Sequence, residues 1–505
     1  MSQLSLETFT RATLPSQPVP VLVGSRLAAD RLSGHKKSQV SLGSPNIGRS
    51  NSWNAEPSIT PVSERRSFDA TPSFTSAPIA HDAKNKKRFY RITLAAIFFC
   101  FFLLGLNDGS IGPLLPVYQT YYKVNFLRVS MIFITNCLGC LTSAVLNVFL
   151  APRIAFSRIL MLATVFQIIA YSLITSAPKP FAIMCIGFFV NGMGMSLLNS
   201  QGNAILSMLN NPTAMGFAHA FYGTGALIAP LISTQFVELP RWSLYYTILL
   251  GTSVLDLISF TLVFKGEGVE EVLEKMGVRT HEEAEHLKLQ RVHARDENAD
   301  IDEVAETTPR RDSGSFGAVL KQIHVHTLAA FVFIYVGTEV TIGGWIVTFM
   351  INERGGGPSS GYVSSGFFGG LALGRIVLLH VNRWLGERLA VFVYIAAGIV
   401  LEITIWFVPS LIGNAVAVSL VGLLLGPFYP IVMSQTGRII NRNILSASIG
   451  WIAGFGQSGS AILPFLTGGL ANRYGIIALQ PLIVAMMASM AALWFMVPTV
   501  VKKND

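Results

Sequence analysis

Residues 105–113 read GLNDGSIGP, and residues 336–344 read VGTEVTIGG. Laid over one another at a separation of 231 positions (339 − 108), the two segments place Asp108 on Glu339 and Gly112 on Gly343. Each segment sets one acid inside an apolar run long enough to cross a bilayer, for which about 20 residues suffice. The match extends outward. Ser200-Gln201 falls on Ser434-Gln435 at a separation of 234 (434 − 200), which also puts Gly192 on Gly426. At that same 234, Gly225 meets Gly459, Pro230 meets Pro464, and the ladder Gly216, Ala220, Thr224 meets Gly450, Gly454, Ser458. Gly366, Gly370 and Gly374 form a further ladder. Small residues at such spacing let backbones approach in lipid, so one ladder alone is ordinary packing. Three helix pairs at nearly one offset indicate two halves related by an axis along the membrane normal.

Around these segments, apolar runs occupy 91–118, 127–149, 158–176, 181–209, 213–236 and 242–264, and then 324–351, 361–381, 388–408, 411–436, 445–470 and 476–498. The pattern predicts an all-α membrane protein of twelve transmembrane helices in two pseudo-symmetric six-helix bundles, 89–264 and 324–500. Residues 1–88 are rich in Ser, Pro, Thr and Arg and read as a disordered tail, because such a composition buries too little apolar surface to offset chain entropy. The 265–323 linker is charged; within it, 267–291 carries Val272, Leu273 and Met276 on one face and Glu271 four residues before Lys275, which predicts a surface helix. Residues 501–505 form a short second tail.

The whole chain is 51% hydrophobic and 13% charged, against about 25% charged in a soluble domain, which excludes a water-soluble enzyme. Its net charge of +9 does not imply nucleic acid, since 13 of 37 basic residues lie at or before Arg91 and nine more lie in the linker. Lys84, Lys86, Lys87, Arg88, Arg91, Arg153, Arg158, Arg383, Arg388, Arg438, Arg442, Lys502 and Lys503 fall on one side of the predicted spans, whereas the other collects Lys123, Arg128, Lys179, Arg241, Arg354 and Arg473. Basic residues are retained inside, so both termini and the linker are expected in the cytoplasm, with the plasma membrane as the location. No signal-peptide core opens the chain, which leaves the first helix as targeting signal. The four cysteines lie in apolar runs; Cys137 and Cys140 read as packing residues, and neither a disulfide framework nor a metal site is expected.

An ionised carboxylate in mid-membrane costs about 3 kcal/mol on insertion scales and is tolerated facing water. Asp108 and Glu339 are therefore candidates to look into a wet crevice and to load and release a proton, the alternative being structural hydrogen bonding. Asp256 and Glu402 are weaker candidates, on helices that lie outermost in such an arrangement. Amides in apolar helices demand partners, which brings in Asn191, Asn199, Gln201 and Asn203 from the fourth span, and Gln435 and Gln457 from the second half. His219 either bonds a neighbouring helix or serves proton relay or solute contact. Tyr222, Trp345, Tyr429 and Trp451 offer packing or stacking on a flat polar solute. Arg375, Arg383 and Arg388 suggest a charge network that holds a gate on the cytoplasmic side.

Over roughly 90–500 the residues resemble the major facilitator superfamily. VNRWLGER (381–388) looks like that superfamily's loop motif between helices 8 and 9, while APRIAFSR (151–158), its counterpart in the first half, is degenerate. FFLLGLNDGSIGPLLPVYQTYY (101–122) and HAFYGTGALIAPLI (219–232) are similar to the branch of fucose, galactose and glucose proton symporters and to fungal bypass of stop codon relatives. The resemblance implies that Asp108 matches an acid used in proton and sugar binding; the branch's acid on the fourth helix is matched here by Asn199 in GMGMSLLNSQGN (192–203). It implies a secondary transporter of a small polar solute such as a monosaccharide, driven by a proton gradient with no bound cofactor, and monomeric in the bilayer. A facilitative uniporter, or a nutrient sensor signalling through tail and linker, are the alternatives. An intramembrane enzyme would need a nucleophile with a base, or metal ligands; neither is evident, and Gly355-Gly356-Gly357 lacks the lysine of a phosphate-binding loop.

Overall fold

The computed structural model describes residues 77–209, 211–278 and 313–498. The tail before residue 77, linker residues 279–312 and the second tail lie outside the described residues. Every regular element described is a helix. In chain order these are α1 (Ala77–Gly109), α2 (Ile111–Tyr122), α3 (Phe126–Val129), α4 (Met131–Leu150), α5 (Phe156–Thr175), α6 (Phe181–Met208) and α7 (Pro212–Val237). Then come α8 (Tyr245–Phe264), α9 (Val269–Lys275), α10 (Ser313–Leu320), α11 (Ile323–Arg354), α12 (Gly361–Leu385), α13 (Glu387–Phe407), α14 (Leu411–Leu425), α15 (Phe428–Ile439), α16 (Arg442–Tyr474) and α17 (Leu479–Met496).

Among the described residues, 11 helices are long and apolar enough to cross a membrane. The twelfth crossing is α16, whose 33 residues are ample in length but give up hydropathy to Gly450, Gly454, Gly456, Ser458, Gly459 and Ser460. Two crossings are broken where proline removes a donor. Pro113 and Pro116 cannot bond the carbonyls of Gly109 and Gly112, and the chain hinges at Ser110, whose hydroxyl bonds the Asn107 carbonyl at 2.7 Å. Pro427 likewise divides α14 from α15.

The duplication is visible in the packing. A Cβ built on Gly225 of α7 would lie 2.2 Å from the Phe102 carbonyl of α1, and one on Gly459 of α16 would lie 2.0 Å from the Phe333 carbonyl of α11. Phe102 and Phe333 are 231 positions apart (333 − 102), and the glycines 234 (459 − 225), the same offsets as in the sequence repeat. Gly139 on the Phe189 carbonyl (1.9 Å) and Gly374 on that of Leu423 (2.0 Å) repeat a second contact, between the second and fourth crossings of each half. At such distances any side chain would push the helices apart.

The ladder Gly216, Gly450, Gly454 does not pack in this way: nothing lies within 4 Å of a Cβ at any of them. They stand on the face from which α1 and α11 start, termed the base. At the opposite face, the top, the halves meet. A Cβ on Gly112 would sit 2.3 Å from the Gly343 carbonyl and one on Gly361 2.1 Å from Thr234 Oγ1. Gly468 lies against Ser130 and Phe126, and Trp345, fully buried, packs on Phe126 and Phe133 at centroid distances of 6.0 and 6.5 Å. Gln235 bonds the Tyr362 hydroxyl across the same seam. The molecule is therefore closed at the top and open at the base.

Under the base, α9 buries Val269, Val272 and Leu273 among Phe156, Phe260 and Phe264. The expected surface helix is thus present over Val269–Lys275, with Lys275 paired to Glu267 and Glu271 accepting from the Gly268 amide at 3.0 Å; the rest of 267–291 beyond Val278 is outside the described residues.

Candidate functional site

Asp108 occupies the last turn of α1 before the hinge and is half-buried. Its Oδ2 accepts from the Tyr222 hydroxyl of α7 at 2.6 Å, and its Oδ1 accepts from Asn107 Nδ2 at 3.2 Å. Behind it, Asn107 Oδ1 accepts from the Tyr171 hydroxyl at 3.2 Å and from Asn191 Nδ2 at 3.1 Å, and Asn191 also reaches Asn136 Oδ1 at 3.4 Å. Five crossings thus converge on one polar knot around the acid. Buried amides and hydroxyls without partners would each cost a few kcal/mol; pooled in one network they hold Asp108 in place.

Across the crevice, Glu339 of α11 is close enough for the two carboxylates to feel each other's charge. Arg375 of α12 is the cation of this region. Its electrostatic neighbours are Tyr335 and Glu339 of α11 and Tyr222 of α7, with Tyr429 of α15 and His219 of α7 also within reach. The buried Tyr335 hydroxyl lies against both Glu339 and Arg375 yet meets no partner within hydrogen-bond geometry, and the same holds for Arg375 Nε.

Of the residues singled out in the sequence, Asp108, Glu339, Tyr222, Tyr429 and Asn191 come together here, and Arg375 joins them rather than a cytoplasmic loop network. Gln457 of α16 reaches across to the other half, its Nε2 3.7 Å from Cys140 Sγ, while Cys137 Sγ lies 3.8 Å from its carbonyl. The other amides of α6, the fourth crossing, lie nearer the base: Asn199 is exposed and accepts from Asn203 at 2.8 Å, and Gln201 donates to Asn147 at 2.8 Å. The fourth-helix side chain level with Asp108 is Asn191, through Asn107, and not Asn199. His219 is exposed at the open end and edges onto the Phe101 ring.

Others are held elsewhere. Gln435 Nε2 donates to Glu387 at 2.7 Å, beside Ser434 and Arg438, so it clasps the base end of the second half. Trp345 donates to the Pro464 carbonyl at 3.0 Å in the top seam, and Trp451 Nε1 lies 3.3 Å from His326 Nδ1 near the base. Arg388 caps α17 through the Phe495 and Val497 carbonyls, and Arg383 is exposed. Asp256 is fully buried beside Cys100, and Glu402 is 1% exposed; neither faces the crevice or lipid. Sequence reasoning missed Asn107, Asn136, Tyr171, Tyr335 and Glu387. The signal available was an amide in each of three apolar runs, which demanded a mutual explanation.

Residues 97–464 match the family model described as Major Facilitator Superfamily. The chain is similar to Bypass of stop codon protein 6 of Saccharomyces cerevisiae, at 23% identity with 82% of this chain and 84% of that protein covered. It is similar to the glucose/mannose transporter GlcP of Bacillus subtilis, at 23% identity over 74% and 86%, and to a glucose/galactose transporter of Brucella abortus, at 22% over 81% and 94%. Its fold resembles that of a bacterial homolog of the human lysosomal transporter Spinster, solved inward-facing and unoccupied, with a TM-score of 0.63 at 12% identity, covering 81% of this chain and 97% of that one.

Proposed function

We propose that this chain, which belongs to the Major Facilitator Superfamily and is a membrane transporter, carries a small polar solute of the sugar type by alternating access, with protons as the driving ion. One observation carries the proton reading: two carboxylates, Asp108 of the first half and Glu339 of the second, lie within reach of each other's charge in the crevice between the halves, with Arg375, beside Glu339, as the neighbouring cation. With both acids ionised the group holds one excess negative charge, which a membrane interior penalises by about 3 kcal/mol. One bound proton removes it, so loading the site with a proton and closing water out of it favour each other. The phenols of Tyr222 and Tyr429 supply hydroxyl partners and ring faces for a polyhydroxylated solute. Sugar transporters among the relatives support that choice.

With the base read as cytoplasmic from the basic residues around it, the open face is the inward one and the top seam is the closed outer gate. Both termini are then inside, and the plasma membrane is the proposed location, with a monomer as the working unit. Proteoliposome uptake of labelled monosaccharides under an imposed proton gradient tests the reading. Asp108→Asn should abolish gradient-driven accumulation while leaving solute exchange. Undiminished accumulation would defeat the proton assignment, and binding without flux would point to a sensor.

A further inference from the structure

Arg375 lies in the interior of α12, about one turn beyond Ala372, whose Cβ would lie 3.5 Å from a Cβ built on Gly223 of α7. A guanidinium presents five donors in a planar fork, and an unmet buried donor is costly. Here Nε is enclosed without a partner, and among the described residues Arg375 forms no ion pair. The titratable groups within electrostatic reach of it are Glu339 and Tyr335 from α11, Tyr222 and His219 from α7 and Tyr429 from α15, with Asp108 of α1 behind Tyr222. The Tyr335 hydroxyl beside it is equally unmet and 1% exposed. An unmet guanidinium nitrogen next to an unmet phenol, on an arginine that is itself only half-buried, offers binding partners to a planar anion.

Resting on the reading of this crevice as the solute site, we propose that the solute is a hydroxylated monocarboxylate of sugar-acid size, whose carboxylate is held by Arg375 and Tyr335. In the empty site Glu339 supplies the negative charge that faces Arg375. With the driving proton on Asp108, an incoming carboxylate takes over that role once Glu339 has accepted a proton of its own, so binding the anion takes up one proton and leaves the net charge of the site unchanged. Hydroxyls of the solute fall to Tyr222 and Tyr429.

The test is equilibrium binding to the purified full-length protein, with sodium D-gluconate and D-glucose as probes across a range of pH. Gluconate should bind, and more weakly as the pH rises, by up to about tenfold per pH unit, as uptake of one proton with the anion requires. Arg375→Gln should weaken gluconate by about thirtyfold or more, the usual consequence of removing one partner of a buried charge pair. Arg375→Lys, which keeps the charge and guards against misfolding as the cause, should fall between. Glu339→Gln should bind gluconate without the pH dependence, an effect that a merely structural Glu339 would not produce. Glucose binding without gluconate binding overturns the sugar-acid assignment and leaves the solute reading intact. Gluconate binding indifferent to Arg375→Gln, or still pH-dependent in Glu339→Gln, overturns it too. If neither probe binds, the assignment falls, and the flux assay decides transport separately.

Discussion

Gly112→Ala should bias the transporter away from the base-open state. The Cβ of alanine would lie 2.3 Å from the Gly343 carbonyl, whereas ordinary contact begins near 3.4 Å. The obstacle is backbone of the other half, so the two halves must separate by about 1 Å at the top seam, and close packing allows no such slack. Overpacking of this kind costs about 1–3 kcal/mol, which shifts a two-state ratio by about 5- to 150-fold. In a state with the top open the contact is absent and the methyl group costs nothing. The assay is maleimide labelling of a cysteine introduced at Gly450, where nothing lies within 4 Å in this conformation; the four native cysteines are buried or half-buried and provide the background. Labelling should slow in Gly112→Ala. Gly105→Ala is the control, because its Cβ would meet the Tyr222 carbonyl at 2.0 Å inside one half. It should lower Tm without changing the labelling ratio. Unchanged labelling in Gly112→Ala, or equal effects of both variants, would refute the seam as the closed gate.

Asn107→Ala removes the acceptor shared by Tyr171 and Asn191; each buried donor left unmet costs about 1–3 kcal/mol, so thermal unfolding should fall by several degrees. Asp256→Val should leave both Tm and uptake at or above wild type, since neither carboxylate oxygen has a hydrogen-bond partner and the residue is fully buried; an apolar replacement of an unpaired buried acid is neutral or stabilising, and loss of uptake would mean that Asp256 takes part in transport. Glu387→Gln removes the ion pair with Arg438 at 3.1 Å. Both partners are partly exposed, so the expected cost to stability is below about 1 kcal/mol, and a larger drop in unfolding temperature would contradict it.

The crossings were legible because hydropathy over about 20 residues is a local property that the bilayer itself selects. The repeat was legible for a related reason. Close helix contacts at Gly225 and Gly459, or Gly192 and Gly426, admit no side chain, so each half preserves glycine at the same register. The breaks at prolines 113, 116 and 427 fall inside runs read from the sequence as continuous, although a missing donor acts where it stands. Asp108 and Glu339 were found from the cost of a charge in lipid, which needs no knowledge of neighbours.

What faces what was a different matter. A span that is apolar all round carries no stripe to say which side meets the crevice, so rotation of the helices had to be seen. That is why Arg375 read as part of a loop network and lies beside Glu339 and Tyr335 instead, and why Gln435, read as lining the path, is bound to Glu387. The ladder Gly216, Gly450 and Gly454 shows the limit most plainly: its spacing permits close approach, but whether helices approach there depends on which face of the molecule is shut. Sequence by itself determined the twelve crossings, their doubling and the two mid-membrane acids, all properties of a segment in its solvent. Only the tertiary structure decided the partners of those acids and the closed top, because these depend on which side chains meet between helices distant in sequence.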